Sequence, residues 1–385
     1  MIRIGVVARL LTASSLRGWN RYTINLLDAL ARLEGVEIVL YSNAPLHEDH
    51  RQRLLRERVK EQIAPPMRLP LWEQRWLPRR CALDRVDVLH SPFNFGLPWS
   101  SPCPRVLTLH DAIERVYDGP RLPLRDKLSV AHVTSQFYHW LARTRAHQVI
   151  TVSHHAKGDI VRSLGVPGSR VHVVHEAADP HFLEPVTAAS RVALRAKFRL
   201  GRPYFLYVGG WEGRKNVSFL LHAFAAARLE GVDLVLAGGR AEQRAEFTRR
   251  AHELGAADRV KLLEWVEEDE LPALYAGALA YVYPSEYEGF GLQICEALAV
   301  GCPVLAARAT CLPEVLGEGG ATFGLGDPAE LSDLLQKTAH DPAFRADLVA
   351  RGRSRSAAFS WRLAAEQTLE VYRLAIQGDA RRAPG

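Results

Sequence analysis

Short runs of apolar, β-branched residues recur along the chain, and each is followed by a segment whose apolar positions have helical spacing. The runs are IRIGVVA, VEIVLYS, VDVLHS, RVLTLHD, HQVITVS and RVHVVHE in the first half, and YFLYVGG, DLVLAGG, RVKLLEW, LAYVYPS and CPVLAA in the second. They lack the polar alternation of half-exposed strands, so they predict strands that are buried on both faces. Such strands alternating with helices indicate parallel sheets, and two series predict two Rossmann-like α/β domains.

The join between the two series sets the predicted domain boundaries. It falls near residues 178–202, after the last apolar run of the first half. We predict an N-terminal domain over residues 1–183, a second domain over residues 184–362, and a C-terminal helix with a disordered tail over residues 363–385, the tail beginning at GDARRAPG. Ligands of doubly wound sheets bind beyond the carboxyl ends of the strands, so we expect the ligand in a cleft where two such domains face each other.

Composition narrows the class of protein. The chain has 385 residues, of which 48% are hydrophobic, and no apolar run approaches the roughly 18 residues of a membrane helix. The N-terminal MIRIGVVARLLTASS is predicted to form a buried strand and not a signal peptide. Five cysteines without a C-x-x-C pair favour a reducing compartment and core packing over a zinc site. We therefore predict a cytoplasmic protein.

Charge is unevenly distributed. Residues 1–185 carry 25 Lys and Arg against 18 Asp and Glu, whereas the remainder is close to neutral. A basic first half suits an anionic surface or partner, including peripheral contact with the inner face of a membrane, although solvated basic faces explain the excess equally well.

The stretch YVGGWEGRKNVSFLLHAFA places two cations at a helix start. The strand ends at Gly209–Gly210, and Asn216 is the expected N-cap of a helix beginning at Val217. Arg214 and Lys215 then lie beside free backbone N–H groups and the positive end of a helix dipole, which suits a phosphate or diphosphate. A solvated basic loop is an equally good interpretation of this stretch alone.

The stretch YPSEYEGFGLQICEALAVG contains two acids eight positions apart. Glu288 precedes a glycine turn and Glu296 lies about one turn inside the following helix, so the two do not share one face. Gly289 and Gly291 allow close backbone approach to a ligand, and the N–H groups at Gly291 and Leu292 open the helix. This geometry suits recognition of hydroxyl groups on both sides of a pyrophosphate. The alternative is that Glu296 complements the helix N-terminus and Glu288 is a solvated loop acid.

Taken together, these motifs resemble family 4 glycosyltransferases. The ordered set is VGGWEGRKN, LVLAGG, YPSEYEGFGLQICEALAVGCPVLA and CLPEV, preceded in the first half by RYTINLLDAL, LWEQRWLP, DVLHSPFN, LTLHD and ITVS. The resemblance covers about residues 1–375 and is similar to mannosyl- and rhamnosyltransferases of cell-surface polysaccharide synthesis. It implies the GT-B fold of two Rossmann-like domains, with a C-terminal helix returning to the first domain, and sugar transfer with retention of anomeric configuration.

The resemblance also implies roles for individual residues. Lys215 and Arg214 would hold the donor diphosphate, Glu296 the ribose hydroxyls, and Glu288 the hexose hydroxyls. His110, in LHD, would face the reacting sugar from the first domain, and it is the implied catalytic residue together with Glu288. The implied donor-binding set is Gly18, Gly209, Gly210, Arg214, Lys215, Trp265, Gly289, Phe290, Gly291, Leu292 and Glu296.

The chain departs from the family pattern at three places. Many members have a basic residue where this chain has Gly209, so neutralisation of the phosphates rests more on Arg214 and Lys215. A glycine-rich loop of the first domain is reduced to Gly18 beside a tryptophan and an asparagine. Trp265 and its neighbour Glu264 replace a common glycine in a region that often meets the base, so the nucleotide preference stays open.

We expect no metal and no cofactor besides a nucleotide-sugar donor, with GDP-mannose as the first candidate. The histidines at 154–155, 172 and 175 lack metal-ligand spacing, and histidines at strand ends commonly form hydrogen bonds. Trp72 and Trp76, between arginines, could dock on a membrane or pack the first domain, and the second interpretation is preferred.

The predicted activity is transfer of a hexose, first mannose, from a nucleotide-sugar to a hydroxyl of a glycan or lipid-linked glycan. Three alternatives remain at this stage. A GT-B epimerase or hydrolase would act without an acceptor, and a glycosidase would need two carboxyl groups about 5–10 Å apart across one bond. A nucleic-acid-binding protein would explain the basic pI of about 9.1 but has no recognised motif here.

Overall fold

The structure is a computed structural model that describes residues 1–14, 18–121, 123 and 129–380. These residues form two compact units, the first comprising Met1–Glu176 and the chain from Ser360 onward, the second comprising Ala177–Phe359. Each unit contains a parallel β-sheet with helices, as two separate series of buried strands require. Both predicted Rossmann-like domains are thereby confirmed.

The first unit is built on a seven-stranded sheet of order β3-β2-β1-β4-β5-β6-β7, and every described pairing in it is parallel. Its strands are β1 (Ile2–Val7), β2 (Val36–Ser42), β3 (Val59–Ile63), β4 (Val88–Ser91), β5 (Arg105–Thr108), β6 (Gln148–Thr151) and β7 (Val171–Val173). Its helices before the second unit are α1 (Gly18–Leu30), α2 (Glu48–Leu54), α3 (Leu69–Leu71), α4 (Leu77–Leu83), α5 (Gly119–Arg121), α6 (Val130–Arg145) and α7 (His154–Asp159). Three π-helical segments interrupt this series, at Trp72–Trp76, Glu114–Asp118 and Ile160–Leu164.

The second unit has a six-stranded parallel sheet of order β10-β9-β8-β11-β12-β13. Its strands are β8 (Tyr204–Val208), β9 (Asp233–Ala237), β10 (Val260–Leu263), β11 (Ala280–Tyr283), β12 (Val304–Ala307) and β13 (Ala321–Phe323). Its helices are α8 (Ala188–Lys197), α9 (Val217–Ala227), α10 (Ala241–Glu253), α11 (Leu271–Ala276), α12 (Leu292–Ala299), α13 (Leu312–Leu316), α14 (Pro328–His340) and α15 (Pro342–Ser356).

Two strands, β3 and β13, were not predicted from the sequence. Both lie at an edge of their sheet, where one side of the strand has no neighbour. Strand β3 (VKEQI) is only partly buried and strand β13 (ATF) has three residues. Neither position demands the continuous apolar run that identifies an inner parallel strand.

The C-terminal helix α16 (Trp361–Ala380) belongs to the first unit and packs against α1, which confirms the predicted return of the chain. The ring of Trp361 at its start lies 5.9 Å from the ring of Tyr22 on α1. The predicted disordered tail was to begin at residue 378, but residues 378–380 are the last residues of α16. Residues 381–385 lie outside the described part of the chain.

The units divide after Glu176, whereas the sequence placed the boundary at residues 183/184. The intervening 3-10 turn Pro180–Leu183 explains the difference, because its Phe182 is buried against Tyr275 of α11 at 5.9 Å between ring centroids. At the other boundary the structure assigns the chain to the first unit from Ser360, close to the predicted residue 363.

Trp72 and Trp76 contribute to packing of the first unit. Trp72 is 1% exposed and donates its indole N–H to the carbonyl of Ser42, and the two indole rings stack at 5.9 Å. All five cysteines are buried free thiols. Among the described residues, no helix combines the length and apolarity that crossing a bilayer would require.

A buried chain of polar side chains joins α16 to the first sheet. The Tyr372 hydroxyl is 2.8 Å from Nδ1 of His90 on β4, and His90 Nε2 is 2.8 Å from the Thr108 hydroxyl on β5. The Tyr22 hydroxyl lies 3.2 Å from the same Thr108 oxygen. Burial, with a smaller contribution from His110, lowers the pKa of His90 to about 3, so the ring is neutral in the folded protein above that pH.

The pKa of His90 predicts acid sensitivity of the fold. Between the ordinary histidine pKa of 6.5 and about 3, the unfolded chain takes up a proton that the folded chain does not, so the free energy of unfolding falls as pH falls. The contribution of neutral His90 to the free energy of unfolding is complete above pH 6.5. Below pH 6.5 it is lost at up to about 1.4 kcal/mol per pH unit. Urea unfolding of the wild type and His90→Gln at a series of pH values tests this. The variant should have the shallower dependence, and equal slopes would show that His90 is not the group responsible.

Candidate active site

The loop after β8 carries the two predicted cations. Arg214 and Lys215 lie in a 3-10 turn, Gly213–Lys215, directly before α9. Lys215 is only 8% exposed, so the alternative of a solvated basic loop is wrong for this residue. Asn216 occupies the N-cap position in the left-handed region (φ 51°), but its side chain makes no capping hydrogen bond, contrary to the prediction.

A buried ion cluster joins this loop to the turn after β11. Lys215 Nζ donates to Glu288 Oε1 at 2.6 Å, and Arg214 Nη1 donates to Glu288 Oε2 at 3.1 Å and to the carbonyl of Tyr287 at 3.1 Å. Burial alone would raise the pKa of Glu288, but the charges of Lys215 and Arg214 outweigh it and hold this pKa below its usual value. The 7% exposed carboxylate is therefore ionised and is not a solvated loop acid.

Tyr283, at the end of β11, completes the surroundings of Lys215. The ammonium group lies 3.4 Å from the Tyr283 hydroxyl and 5.5 Å from the centre of its ring. Tyr283 also donates to Gln293 Oε1 at 3.1 Å, on the first turn of α12. The Tyr283 hydroxyl thus links the end of β11, the Lys215 ammonium group and the start of α12.

The turn between Glu288 and α12 needs glycine for two reasons. Gly291 has φ 90°, and a Cβ on it would lie 2.9 Å from the Leu312 side chain. Gly289 and Phe290 are buried beside it, and Leu292 begins the eight-residue helix α12. The first N–H groups of a helix have no intrahelical acceptor and carry its positive dipole end, so this turn can receive an anion.

Glu296 lies inside α12 and is 1% exposed. Its Oε2 accepts a hydrogen bond from the Tyr275 hydroxyl at 3.2 Å, whereas Glu288 faces two cations. Burial raises the pKa of the Tyr281 hydroxyl well above its usual value, with Tyr207, Glu296 and Glu288 adding to the effect. The two acids therefore lie near one buried phenol, and the hydrogen bonds described for them go to different groups.

Gly209 and Gly210 lie where the carboxyl ends of β8 and β9 meet. The Gly210 carbonyl accepts a hydrogen bond from the Tyr207 hydroxyl at 2.6 Å. Gly238, after β9, has φ 104°, and a Cβ on it would come within 2.3 Å of the Gly209 carbonyl oxygen. The backbones of the two strand ends approach this closely only because glycine has no side chain. Trp265 is the remaining predicted donor-binding residue of this unit. It follows β10 and is 68% exposed.

His110 and Gly18 lie in the first unit. The His110 side chain is 6% exposed, with Nε2 3.0 Å from the Pro92 carbonyl oxygen and Nδ1 3.4 Å from Glu176 Oε1. Both ring nitrogens thus face hydrogen-bond acceptors. Trp19, next to Gly18 at the start of α1, stacks on the His110 ring at 5.8 Å, and Gly18 has open space around its Cβ position. Positions 15–17 precede Gly18 in the loop that departs from the family pattern, and they lie outside the described residues.

Two of the histidines considered as metal ligands, His155 and His172, lie beside polar side chains. His155 Nε2 lies 3.2 Å from Asp159 Oδ2, and His172 Nε2 lies 2.8 Å from Gln148 Oε1. The His172 contact is a hydrogen bond of the kind expected for a strand histidine, and the absence of a metal stays a prediction.

Several residues that support the site were missed by sequence reasoning. They are Tyr275, which holds Glu296; Tyr283, which contacts Lys215; Thr310, whose hydroxyl accepts from the Glu288 N–H at 3.2 Å; and Glu176, which faces His110. Signals existed for Thr310, which directly precedes the CLPEV motif, and for Tyr283, which is the first residue of the YPSEYEGFGLQICEALAVG stretch. The others are distant in sequence from the groups that they contact.

Two family models match this chain, one in each half. The family described as Glycosyltransferase Family 4 matches residues 16–182, and the one described as Glycosyl transferases group 1 matches residues 193–355. The chain is 30% identical over 304 residues to O-antigen chain mannosyltransferase B of Escherichia coli, covering 77% of this chain and 78% of that protein. The chain therefore belongs to the family 4 glycosyltransferases, and it is a hexosyltransferase.

Two further similarities agree. The chain is 34% identical over 234 residues to MMP alpha-(1->4)-mannosyltransferase of Mycolicibacterium hassiacum, covering 60% of this chain and 54% of that one. The structure of sucrose-phosphate synthase from Thermosynechococcus elongatus superposes with a TM-score of 0.76 at 22% identity, covering 98% of this chain and all of that chain. The fold is GT-B, as predicted.

The ion cluster predicts that neutralising Glu288 strongly lowers the free energy of unfolding. Glu288→Gln would leave the nearly buried Lys215 ammonium without its carboxylate, and removing one partner of a buried pair costs about 3–5 kcal/mol. Urea unfolding should show this loss, with partial recovery in the double variant Glu288→Gln/Lys215→Met. The control Glu330→Gln breaks an exposed pair with Arg308 and should cost about 0–1 kcal/mol. Equal losses in the two single variants would contradict the importance of burial.

Proposed function

We propose that this hexosyltransferase transfers mannose from GDP-mannose, with retention of configuration and without a metal ion, to a hydroxyl of a glycan carried on a lipid diphosphate. The observation that carries the proposal is the buried cluster of Lys215, Arg214 and Glu288 beside the start of α12. Mannose is favoured because two relatives are named as mannosyltransferases, one of them acting on the O-antigen chain.

The donor diphosphate would meet the positive side of this cluster. Two cations and one carboxylate leave a net charge of +1, to which the N–H groups at Gly291 and Leu292 add the partial positive charge of a helix end. Glu288 is ionised and can accept hydrogen bonds from hexose hydroxyls. Glu296 would hold the ribose, after exchange or sharing of its hydrogen bond with Tyr275.

In the transfer step, the bond from the anomeric carbon to the diphosphate oxygen breaks and a bond to the acceptor oxygen forms on the same face. The acceptor hydroxyl gives its proton to the departing phosphate oxygen, so no protein base is needed. Lys215, Arg214 and the helix N–H groups stabilise the negative charge that develops on the leaving group. These groups would supply the positive charge that a divalent metal provides in other transferases.

His110 would face the reacting sugar from the first unit. Its ring is oriented by the Pro92 carbonyl and Glu176 and is covered by Trp19. The acceptor would bind this unit, and the excess of positive charge in residues 1–185 suits an acceptor anchored through a lipid diphosphate. We accordingly propose a cytoplasmic location with peripheral contact at the inner face of the membrane.

The alternatives predict different products. An epimerase or hydrolase would consume the donor at the same rate with and without acceptor, and a nucleic-acid-binding protein would not consume it at all. None of the reported relatives favours either alternative.

A panel of nucleotide-sugars tests the proposal directly. The purified protein is incubated with GDP-mannose, UDP-glucose and dTDP-rhamnose, with and without a mannose-terminated lipid diphosphate, and nucleotide release and the product anomer are measured. We expect acceptor-stimulated release of GDP from GDP-mannose, an α-linked product, and the same rate in the presence of a chelator. Acceptor-independent conversion of the donor would overturn the transferase proposal.

Lys215→Ala should weaken binding of the diphosphate. Loss of a charge-assisted hydrogen bond reduces affinity roughly ten- to a hundredfold, which calorimetry with GDP measures. Lys197→Ala is the control, because Lys197 is half exposed and pairs with Glu270. If GDP binds both variants and the wild type equally, Lys215 does not contact the diphosphate.

A further inference from the structure

A row of aromatic side chains in the first unit leads away from His110. The Trp19 ring, which stacks on His110, contacts Phe95 at 6.1 Å, and Phe95 contacts Tyr138 of α6 at 6.0 Å. We call Trp19, Phe95 and Tyr138 the aromatic row. All three side chains are partly exposed, whereas the neighbouring Phe93 is fully buried. Core packing accounts for the complete burial of Phe93 but not for the partial exposure of the three residues of the aromatic row.

A buried carboxyl group lies at the far end of the aromatic row. Glu73, in the π-helical segment Trp72–Trp76, is 3% exposed, and the Tyr138 hydroxyl donates to its two oxygens at 3.1 and 2.8 Å. Burial raises the pKa of Glu73, although the Tyr138 hydroxyl and the charge of Arg9 partly counteract this. A carboxylate can accept about four hydrogen bonds, so one phenol leaves acceptor capacity on both oxygens.

These groups lie at the ligand-binding edge of the sheet. Arg9 follows β1, Phe95 follows β4 and His110 follows β5, and these three strands are adjacent in the order β1-β4-β5. Trp19 lies at the start of α1, which also follows β1. The carboxyl ends of adjacent parallel strands are where doubly wound domains bind ligands, and the order of strands in this sheet reverses between β1 and β4.

We propose that the aromatic row and Glu73 form a pyranose-binding site for the acceptor sugar. A pyranose has an apolar face of C–H groups and a rim of hydroxyls. Flat, partly exposed rings cover such a face without unpaired polar atoms, and a carboxylate accepts hydrogen bonds from the rim. Glu73 acts as a binding group and no bond of the substrate changes at it. The site rests on the proposed transfer function, because a transfer to a glycan requires a place for a second sugar.

Binding is tested first without any turnover. Methyl α-D-mannopyranoside, with the corresponding glucoside and galactoside, is added to the full-length protein, and saturation-transfer NMR detects the bound sugar. We expect a signal from at least one pyranoside with the wild type and a weaker one with Glu73→Gln and Phe95→Leu. Absence of a signal from all three sugars would overturn the site.

Kinetics then separate the site from the reaction. With GDP-mannose as donor and methyl α-D-mannopyranoside as acceptor, Glu73→Gln should raise the acceptor KM about tenfold, the loss expected when a hydrogen bond to a charged group becomes neutral. The donor KM and the hydrolysis of GDP-mannose by water should not change. Glu61→Gln is the matched control, because Glu61 is also a nearly buried carboxylate of this unit and accepts a hydrogen bond from the Leu46 N–H.

The outcomes distinguish the two proposals. Transfer with the same acceptor KM in Glu73→Gln and Glu61→Gln overturns the acceptor site and leaves the function intact. Sugar binding that depends on Glu73, without transfer from any nucleotide-sugar, supports the site and contradicts the function. Thermal unfolding of both variants is measured in parallel, since a role of Glu73 in stability alone would lower the melting temperature without changing the acceptor KM, which would also overturn the site.

Discussion

The ionised carboxylate of Glu288 is the group on which the second unit's site depends. A charge buried to this extent is tolerated only with partners, and both partners come from the loop after β8. Strands β8 and β11 are neighbours in the sheet, so their carboxyl ends bring Lys215 and Glu288 together although 73 positions separate them in the chain. The remaining features follow from this pairing: Thr310 holds the Glu288 backbone, and Gly291 lets the chain turn directly into α12.

In the first unit, the ends of adjacent strands also bring together residues that are distant in the chain, but these residues are of other types. Its central strands β1, β4 and β5 end close together, and their loops present Arg9, Phe95 and His110 at one edge. Behind that edge, the chain from Tyr372 through His90 to Thr108 connects the C-terminal helix to the sheet by hydrogen bonds. Since His90 is neutral and fully buried, this connection introduces no buried charge. Glu288 and Glu73 show the contrast between a carboxylate held by cations and one held by a phenol.

The sequence was a good guide wherever local pattern reflects burial. Eleven strands were predicted from continuous apolar runs, which inner parallel strands need because both of their faces are buried. The edge strands β7 and β10 also have such runs, whereas β3 is partly polar and β13 has three residues, and these two edge strands were missed. Asn216 was placed correctly before α9, but its backbone is left-handed and its side chain makes no capping hydrogen bond. The start of the tail was misplaced, because α16 continues to residue 380 through a glycine that composition alone marks as a break. The observed domain boundary lies earlier in the chain than the predicted one because Phe182 packs on α11, some ninety positions later. Nothing in the local sequence around Phe182 indicates this contact.

What the sequence determined by itself was the two-sheet architecture, the family, and the residue types at the candidate site, since each depends on local order: apolar runs, glycine turns and motif spacing. Only the tertiary structure decided which charges meet. Lys215 could have been solvated, Glu288 a surface acid, and Glu73 one more polar residue between two tryptophans. Whether a group is ionised and which partner it has depend on distances between loops that follow adjacent strands. The order of strands in a sheet sets those distances, and no short stretch of sequence contains that order.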